Sequence, residues 1–210
     1  MCVFRYLYCE KPESEIGSIN VGHFRYELGF LLGKNLPRDL FDEVDYVVPI
    51  PNTGILYAKG LAEAIGVPFC AALKKGTEKR CLCFEKADLR EQFLNDMIQI
   101  EDTAIRGKRL LLVDEAILTG TTMKSVCSRL HQAGAAGIRV CVPSPVSNCR
   151  CQRGVMGQLN SLYANTSVAE FASALGVEGI THISQDLFHR FLREKGLDVC
   201  TECFDLYDQT

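Results

Sequence analysis

Apolar runs and amphipathic stretches alternate along most of the chain. Five short apolar runs have the length and the aliphatic content of buried β-strands; they lie at 46–50, 67–73, 109–113, 137–142 and 180–183. A second set of segments has apolar residues at helical spacing; these predicted helices cover 20–35, 54–66, 89–99, 121–133, 167–175 and 184–195. Strands that alternate with helices form a parallel sheet with helices on its faces. The pattern therefore predicts an α/β fold.

Two segments depart from this alternation. Residues 3–8 are rich in aromatic side chains, which predicts a further strand near the start. The polar segment from Lys74 to Asp88 has no periodicity, and its charges and Gly76 predict a mobile loop. No internal repeat or low-complexity linker divides the 210 residues, and this length is typical of one domain. We therefore expect a single domain over 1–210.

Composition and charge argue against several classes of protein. The chain is 47% hydrophobic and 23% charged, which suits a globular core. Its net charge of -3 and its dispersed basic residues argue against nucleic acid or an anionic membrane as partner. No apolar stretch reaches the roughly 20 residues that a membrane span needs, and residues 1–13 lack the features of a signal peptide. We therefore expect a cytoplasmic protein.

The apolar run at 109–113 leads into the most specific residue pattern of the sequence. Asp114 and Glu115 follow it directly, and a Thr-Gly-Thr-Thr turn at 119–122 opens the next helix. Backbone N–H groups and hydroxyls at a positive helix end suit a phosphate dianion. The two acids can reach the hydroxyls of a sugar whose phosphate occupies the turn, and can stabilise a cationic transition state. The residues also suit a plain strand-to-helix connection, with Thr121 or Thr122 as N-cap and two solvated acids.

A second loop occupies a comparable position. The run at 46–50 ends at a Pro-Asn-Thr-Gly turn, residues 51–54, which precedes a predicted helix. Ligands of open parallel sheets bind where a strand ends and its loop feeds a helix. These two loops are therefore the candidate ligand-binding loops.

The segment 110–122 resembles the phosphoribosyl pyrophosphate (PRPP) signature of type I phosphoribosyltransferases. Further motifs, in the correct order, resemble one branch of that family, the glutamine PRPP amidotransferases; they are Cys2 to Tyr8 with Pro12, Val48 to Gly54, Lys74, Arg80, Arg90, Ser144-Pro145 and Gly154. The resemblance implies the type I phosphoribosyltransferase fold, a twisted and mostly parallel sheet flanked by helices with a small hood. It also implies a pentosyl-transferring enzyme of purine metabolism. The family commonly forms oligomers, which leaves a homo-oligomer open here.

The resemblance implies catalytic roles for four residues. Asp114 and Glu115 would hold the ribose hydroxyls of PRPP. Lys74 and Arg80 would close over the pyrophosphate and exclude water, as lids do. From the residues alone, the basic side chains at 74–80 could equally be a solvated surface loop.

The same resemblance implies two groups of substrate-binding residues. Those of the acidic loop, with its turn on the 5′-phosphate, would be Ala116, Thr119, Gly120, Thr121 and Thr122. Those that receive the pyrophosphate together with Mg²⁺ would be Asn52, Thr53 and Gly54.

Eleven cysteines are many for a chain of this length. Cys70, Cys127 and Cys141 fall inside apolar patterns and are expected to pack as small hydrophobic residues. Cys200 and Cys203 form a CxxC motif, a spacing that allows two thiolates to reach one metal. That motif alone would also suit a redox pair, or arise by chance.

The resemblance gives the CxxC motif a specific meaning. One branch of the amidotransferases carries a 4Fe–4S cluster held by four dispersed cysteines, and the matching positions are Cys2, Cys151, Cys200 and Cys203. Cys149 is a rival of Cys151, and a zinc ion or no metal at all is the alternative to a cluster. A cluster here would act as a structural clamp that ties the tail, about 196–210, to the core, because metal binding becomes folding energy.

Several positions depart from the family pattern. The family has an acid at Asn52, serine at Ala116, arginine at Thr119 and a second aspartate at Glu115, and a lysine that the family has late in the helix predicted over 89–99 corresponds to Met97. These changes bear on the identity of the acceptor more than on PRPP binding.

Nothing in the chain resembles the glutaminase domain of the amidotransferases. Cys2 could supply an N-terminal nucleophile of the glutaminase kind, but the residues after it match the transferase domain, so this role is rejected. We therefore expect a stand-alone phosphoribosyltransferase that forms or reverses an N-glycosidic bond between ribose C1 and a small nitrogen acceptor, such as a purine or purine analogue. Its substrates would be PRPP, or a nucleotide plus pyrophosphate. The alternatives are phosphoribosylamine synthesis from ammonia, with or without a separate glutaminase, and a non-catalytic PRPP sensor.

Overall fold

The computed structural model describes residues 1–75, 98–147 and 161–204. The strands are β1 Glu15–Ile16, β2 Ile19–Asn20, β3 Tyr46–Pro49, β4 Leu73–Lys75, β5 Ile98–Ile100, β6 Arg109–Val113, β7 Gly137–Val142 and β8 Gly179–His182. The α-helices are α1 Val21–Lys34, α2 Gly54–Ile65, α3 Asp102–Ile105, α4 Thr121–Gln132, α5 Val168–Leu175 and α6 Gln185–Glu194. These bounds agree within one residue at either end with most of the predicted strands and helices.

Within the described residues, the central sheet contains four strands in the order β3-β6-β7-β8, and each of their pairings is parallel. Pro49 lies opposite Val113, Val113 opposite Cys141, and Val142 opposite His182. The carboxyl ends of all four strands therefore meet at one edge of the sheet. The predicted α/β fold with a mostly parallel sheet is confirmed.

The alternating side chains of β6 separate two layers of core. Leu110 and Leu112 face one layer while Leu111 and Val113 face the other, as the two-residue period of a strand requires. The first layer holds α4 and α5, and the second holds α1, α2 and α6 with residues 3–7. Within the described ranges, no helix is both long enough and apolar enough to cross a bilayer.

Helices α1 and α2 pack at very close range through glycine. A Cβ atom on Gly29 would overlap the backbone of Tyr57, and one on Gly60 would overlap the carbonyl group of Tyr26. Asn20 caps the first of these helices, since its Oδ1 accepts the N–H of His23 at 2.9 Å. The glycines therefore determine how closely α2, which begins at one candidate loop, sits against α1.

The strand predicted over residues 3–8 is wrong, because Arg5–Cys9 forms a π-helical turn. The buried guanidinium of Arg25 donates from Nε to the Tyr6 carbonyl and from Nη2 to the Glu10 carbonyl, each at 2.8 Å. The Tyr57 hydroxyl donates to the Leu7 carbonyl at 3.0 Å. Side chains remote in sequence thus take the carbonyl groups that a strand would use in its ladder, and no local pattern reports this.

The predictions between 67 and 100 need correction as well. Phe69 makes a single bridge to Val47, while the strand itself lies later, at β4. β4 pairs antiparallel with β5, so residues expected in a loop at 74–75 and in a helix at 98–99 are strand residues. The rest of the predicted loop and helix, 76–97, lies outside the described residues.

The glycine contact between α1 and α2 makes the first prediction. Gly60→Ala places a methyl group on the Tyr26 carbonyl and 2.8 Å from the Phe30 nitrogen, both backbone atoms that cannot yield cheaply. The free energy of unfolding, measured with denaturant, should fall by about 2 kcal/mol or more. Gly179→Ala is the control, because no atom lies within 4 Å of its added Cβ. Equal stability of the two variants would contradict this account.

Candidate functional site

The two candidate loops leave the sheet side by side. β3 and β6 are direct neighbours, and the N–H of Ile50 donates to the carbonyl of Val113 at 2.8 Å. The Pro-Asn-Thr-Gly loop and the acidic loop therefore start within one hydrogen bond of each other. This arrangement matches the position at which open parallel sheets bind ligands.

Gly54 allows the first loop to lie against the second. It is the first residue of α2, and a Cβ atom there would stand 2.7 Å from the Val113 carbonyl oxygen and 3.7 Å from the Cα of Asp114. The Gly54 N–H donates to the Ile50 carbonyl at 3.1 Å, which closes the loop. Asn52 is exposed, Thr53 is half-buried, and the peptide between Pro51 and Asn52 is cis.

Asp114 and Glu115 stand at the end of β6 in different environments. Asp114 is only 7% exposed, whereas Glu115 is half-buried. The Asp114 N–H donates to the Cys141 carbonyl at 3.4 Å, and its Oδ1 accepts the N–H of Glu115 at 3.1 Å. Burial, followed by the charge of Glu115, raises the pKa of Asp114 well above its ordinary value, while the hydrogen bond from the Glu115 N–H acts in the opposite direction. A cation or ligand hydroxyls brought to this position would favour the ionised carboxylate again.

The Thr-Gly-Thr-Thr turn has the geometry of an anion site. Gly120 has a φ of 73° and precedes α4 without any side chain capping the helix. The alternative in which Thr121 or Thr122 is the N-cap is therefore wrong, because both belong to the helix. The first turn of α4 carries no acidic residue, and the hydroxyls of Thr119 and Thr121 lie 3.1 Å apart. Backbone N–H groups at this helix start have no intrahelical acceptors, which suits a phosphate.

A hydrophobic platform supports this turn from below. A Cβ atom on Gly120 would lie 2.7 Å from Cζ of Phe171 and 3.0 Å from Cδ2 of Leu162. The Leu162 N–H also donates to the Leu118 carbonyl at 2.7 Å. Glycine is thus needed at position 120 for both its positive φ and the close approach of these side chains.

The predicted basic residues are only partly described. Lys74 lies in β4 with an exposed side chain, and its Nζ is 3.2 Å from Oε2 of Glu101. Arg80 lies outside the described residues. The loops at 50–54 and 114–122 are brought together by the sheet, whereas Lys74 belongs to the separate β4-β5 pair.

Sequence reasoning missed Tyr57, which lies within electrostatic reach of both acids. Its ring is fully buried, and burial raises the pKa of its phenol while the charges of Glu115 and Asp114 raise it further. Its position one helical turn after Gly54 is the only signal in the sequence. Tyr57 also lies within electrostatic reach of the buried Arg25, whose positive charge lowers the pKa of the phenol.

Three of the four predicted cluster cysteines lie in the described residues. Cys2 and Cys200 form a bridge between backbones, with the Cys200 N–H donating to Met1 at 2.7 Å and its carbonyl accepting from Val3 at 3.2 Å. Cys203 follows in the 3₁₀ turn Glu202–Phe204. Cys151 and its rival Cys149 are outside the described residues.

Other observations bear on the remaining cysteines and on metals. Cys127 and Cys141 are buried, as predicted, and Cys70 is half-buried. Over 1–75, 98–147 and 161–204, no three His, Cys, Asp or Glu side chains converge on a position for a single metal ion. This finding does not bear on a four-iron cluster, in which the ligands bind different irons.

The sheet, its strand-end loops and the flanking helices define the type I phosphoribosyltransferase fold. The family model for the phosphoribosyl transferase domain matches residues 32–150, and the chain belongs to this family of transferase enzymes. The matched range contains both candidate loops but none of the four proposed cluster cysteines.

Individual relatives point to one branch of the family. An amidophosphoribosyltransferase of Methanocaldococcus jannaschii is 30% identical over 205 residues, which are 96% of this chain and 42% of the relative. That of Synechococcus elongatus is 27% identical over 208 residues, 98% of this chain and 41% of the relative. The structure of the glutamine PRPP amidotransferase from B. subtilis, complexed with ADP and GMP, matches with a TM-score of 0.81 and 28% identity, over 100% of this chain and 48% of the other. The chain thus spans about two fifths of the length of these curated relatives.

The buried carboxyl of Asp114 makes the second prediction. Its raised pKa means that the folded protein holds this proton more tightly than the unfolded chain, a contribution to stability that is complete at acidic pH and is lost as the pH rises above about 4. The variant Asp114→Asn has no ionisable group at this position, so it does not lose this stability as the pH rises. Its melting temperature should therefore exceed that of the wild type by an amount that grows with pH, reaching roughly 2–6 °C near neutrality.

The control for this prediction is Asp42→Asn, which changes an exposed acid. Thermal unfolding followed at several pH values measures both variants. A difference between Asp114→Asn and wild type that is absent, or that shrinks as the pH rises, would show that the Asp114 carboxyl is not under strain from burial.

Proposed function

We propose that this chain is a PRPP-dependent phosphoribosyltransferase that forms or reverses an N-glycosidic bond between ribose C1 and a nitrogen nucleophile, such as a purine or purine-analogue base. The observation that carries the proposal is the hydrogen bond from Ile50 to Val113, which starts the Pro-Asn-Thr-Gly loop and the acidic loop side by side. One substrate can therefore contact both loops at once. A phosphorylated sugar bearing a pyrophosphate has the matching pair of charged ends.

The proposed roles follow the local geometry. The uncapped start of α4, at Thr121, receives the 5′-phosphate through backbone N–H groups and the Thr119–Thr121 hydroxyl pair. Asp114 and Glu115 accept hydrogen bonds from the ribose hydroxyls. The loop at 52–54 receives the pyrophosphate with Mg²⁺, a cation that proteins usually bind through few carboxylates and substrate phosphates.

The reaction needs no covalent nucleophile from the protein. The bond from C1 to the pyrophosphate oxygen breaks with its electron pair on the leaving group, the nitrogen lone pair forms the new bond to C1, and the nitrogen loses its proton to solvent. The sugar passes through a cationic state, which the carboxylates of Asp114 and Glu115 stabilise. Orientation of the two substrates by the loops supplies the remaining assistance.

A second candidate reaction uses ammonia as the nucleophile and yields phosphoribosylamine. The similarity to amidophosphoribosyltransferases over nearly the whole chain favours it. It leaves the roles of both loops unchanged and differs only in the acceptor. The departures at Asn52, Ala116 and Thr119 are the reason to place a different nitrogen nucleophile first.

The third prediction tests the activity. Pyrophosphate release from PRPP and Mg²⁺ is measured with adenine, guanine, hypoxanthine, xanthine and ammonia as acceptors. Glu115→Gln and Thr121→Val should each lower kcat/KM by about 10- to 1000-fold, because each removes a group that contacts the sugar or its phosphate. Thr103→Val, an exposed change in α3, should leave it unaltered.

The outcomes separate the candidates. Turnover with a purine supports the leading reaction, and turnover with ammonia alone supports phosphoribosylamine synthesis. PRPP binding without turnover across the panel would instead indicate a sensor. A protein that binds no PRPP at all would refute every form of the proposal.

We further propose that Cys2, Cys151, Cys200 and Cys203 hold a structural 4Fe–4S cluster. The backbone bridge between Cys2 and Cys200 supports it, because it brings ligands from the two ends of the described chain together. Cys203 lies one turn beyond Cys200, which suits a CxxC pair on one cluster. When bound, the cluster would add metal–thiolate bonds to the contact between the two ends of the described chain.

The fourth prediction tests this cluster. Protein purified without oxygen should show broad visible absorbance and contain iron and sulfide, and Cys200→Ser should lose all three and melt at a lower temperature. Cys70→Ser is the matched control, a half-buried cysteine outside the proposed set. Colourless, iron-free wild-type protein would reject the cluster and leave the proposed transferase activity untouched.

A further inference from the structure

A polar pair lies behind the Thr-Gly-Thr-Thr turn and has no part in the proposed chemistry. The hydroxyl of Tyr163 is 3.2 Å from Nε2 of His182, and the two rings meet edge to face with centroids 5.4 Å apart. His182 is the last residue of β8, while Tyr163 lies in the 3₁₀ turn Leu162–Ala164. The pair therefore joins the ligand-binding edge of the sheet to a segment that packs under the turn.

Hydrogen bonding fixes the direction of this contact. Nδ1 of His182 lies 3.0 Å from the Ser144 carbonyl, which can only accept, so Nδ1 carries the hydrogen. Nε2 of the neutral ring must then accept the hydroxyl hydrogen of Tyr163. Burial lowers the pKa of His182 to about 4 and raises the pKa of the Tyr163 phenol, so both groups keep these roles at neutral pH. The hydrogen bonds are therefore donated in one direction, from the Tyr163 hydroxyl to His182 and from His182 to the backbone after β7.

These hydrogen bonds reach the turn through two neighbours of Tyr163. Leu162 precedes it in sequence, donates to the Leu118 carbonyl at 2.7 Å, and lies under Gly120. Phe171, the other side chain under Gly120, meets the Tyr163 ring edge to face at 6.1 Å and 85°. Both supports of the turn thus contact or adjoin the ring that His182 holds in place.

We infer that Tyr163 and His182 are positioning residues that fix the Thr-Gly-Thr-Thr turn in the conformation that binds the substrate's 5′-phosphate. The inference rests on the proposed function for the identity of that phosphate. Apolar packing alone holds Leu162, Phe171 and the Tyr163 ring near Gly120, but it is less directional than a hydrogen bond. A hydrogen bond with a preferred distance and angle fixes the ring, and with it the platform.

The fifth prediction compares two ligands that use different loops. Binding of ribose 5-phosphate should depend on the Thr-Gly-Thr-Thr turn, whereas binding of pyrophosphate with Mg²⁺ should depend on the loop at 52–54. Tyr163→Phe and His182→Asn should each raise the Kd for ribose 5-phosphate by about three- to tenfold, the range expected for one lost hydrogen bond. The Kd for pyrophosphate should change by less than about twofold. Calorimetry measures both constants on the full chain.

Two further comparisons separate positioning from general stability. His131→Asn is the matched control, because His131 also contacts a backbone carbonyl, that of Leu175, from the far end of α4. It should alter neither Kd. The double variant of Tyr163 and His182 should bind ribose 5-phosphate no more weakly than His182→Asn alone, because both changes remove one shared hydrogen bond.

Unchanged ribose 5-phosphate binding in the folded variants, or equal weakening for both ligands, would overturn the positioning role. Nitrogen NMR of the wild type gives a test that needs no variant: the His182 Nε2 resonance should be that of an unprotonated imidazole nitrogen that accepts a hydrogen bond, and a protonated Nε2 would overturn the role as well. A wild type that binds neither ligand would remove the proposed function and this role with it. Binding by the wild type with unaffected variants would remove this role alone.

Discussion

The parallel pairing of β3 with β6 is the constraint on which the site depends. It places the ends of two central strands in register, so that the loops after Pro49 and Val113 have a common origin. Gly54 is what allows the pairing to continue into the loops, because any side chain there would strike the carbonyl of Val113. Glycine also permits the close contact between α1 and α2. The position of α2 depends on how closely it approaches α1.

The site also contains an unfavourable electrostatic interaction at the end of β6. Asp114 and Glu115 are adjacent acids, and one of them is buried with a raised pKa. The fold tolerates this because the surrounding layers bury large aromatic and aliphatic side chains on both faces of the sheet. Groups that donate hydrogen bonds to these carboxylates, or that carry positive charge beside them, would relieve this cost.

The sequence alone predicted the parts of the fold that local pattern controls. The apolar run before Asp114, the turn at 119–122 and the helices on both faces follow from periodicity and turn chemistry. The π-helical turn at Arg5–Cys9 could not be predicted, because its carbonyl groups are taken by Arg25 and Tyr57, which lie far away in sequence. The Tyr163–His182 contact was missed for the same reason: each residue looks like ordinary core until β8 brings the two together.

The aromatic ring of Phe204 packs the segment of the CxxC motif against other parts of the protein. It is fully buried between Phe4, at 5.5 Å between ring centroids, and Phe188, at 5.6 Å. This contact is apolar and local to the protein, so it holds Cys200 beside Cys2 whether or not a metal is present. Under the proposed cluster assignment, Cys2 and Cys200 already stand on neighbouring backbone segments, so binding a metal would cost less of the entropy of bringing these two residues together.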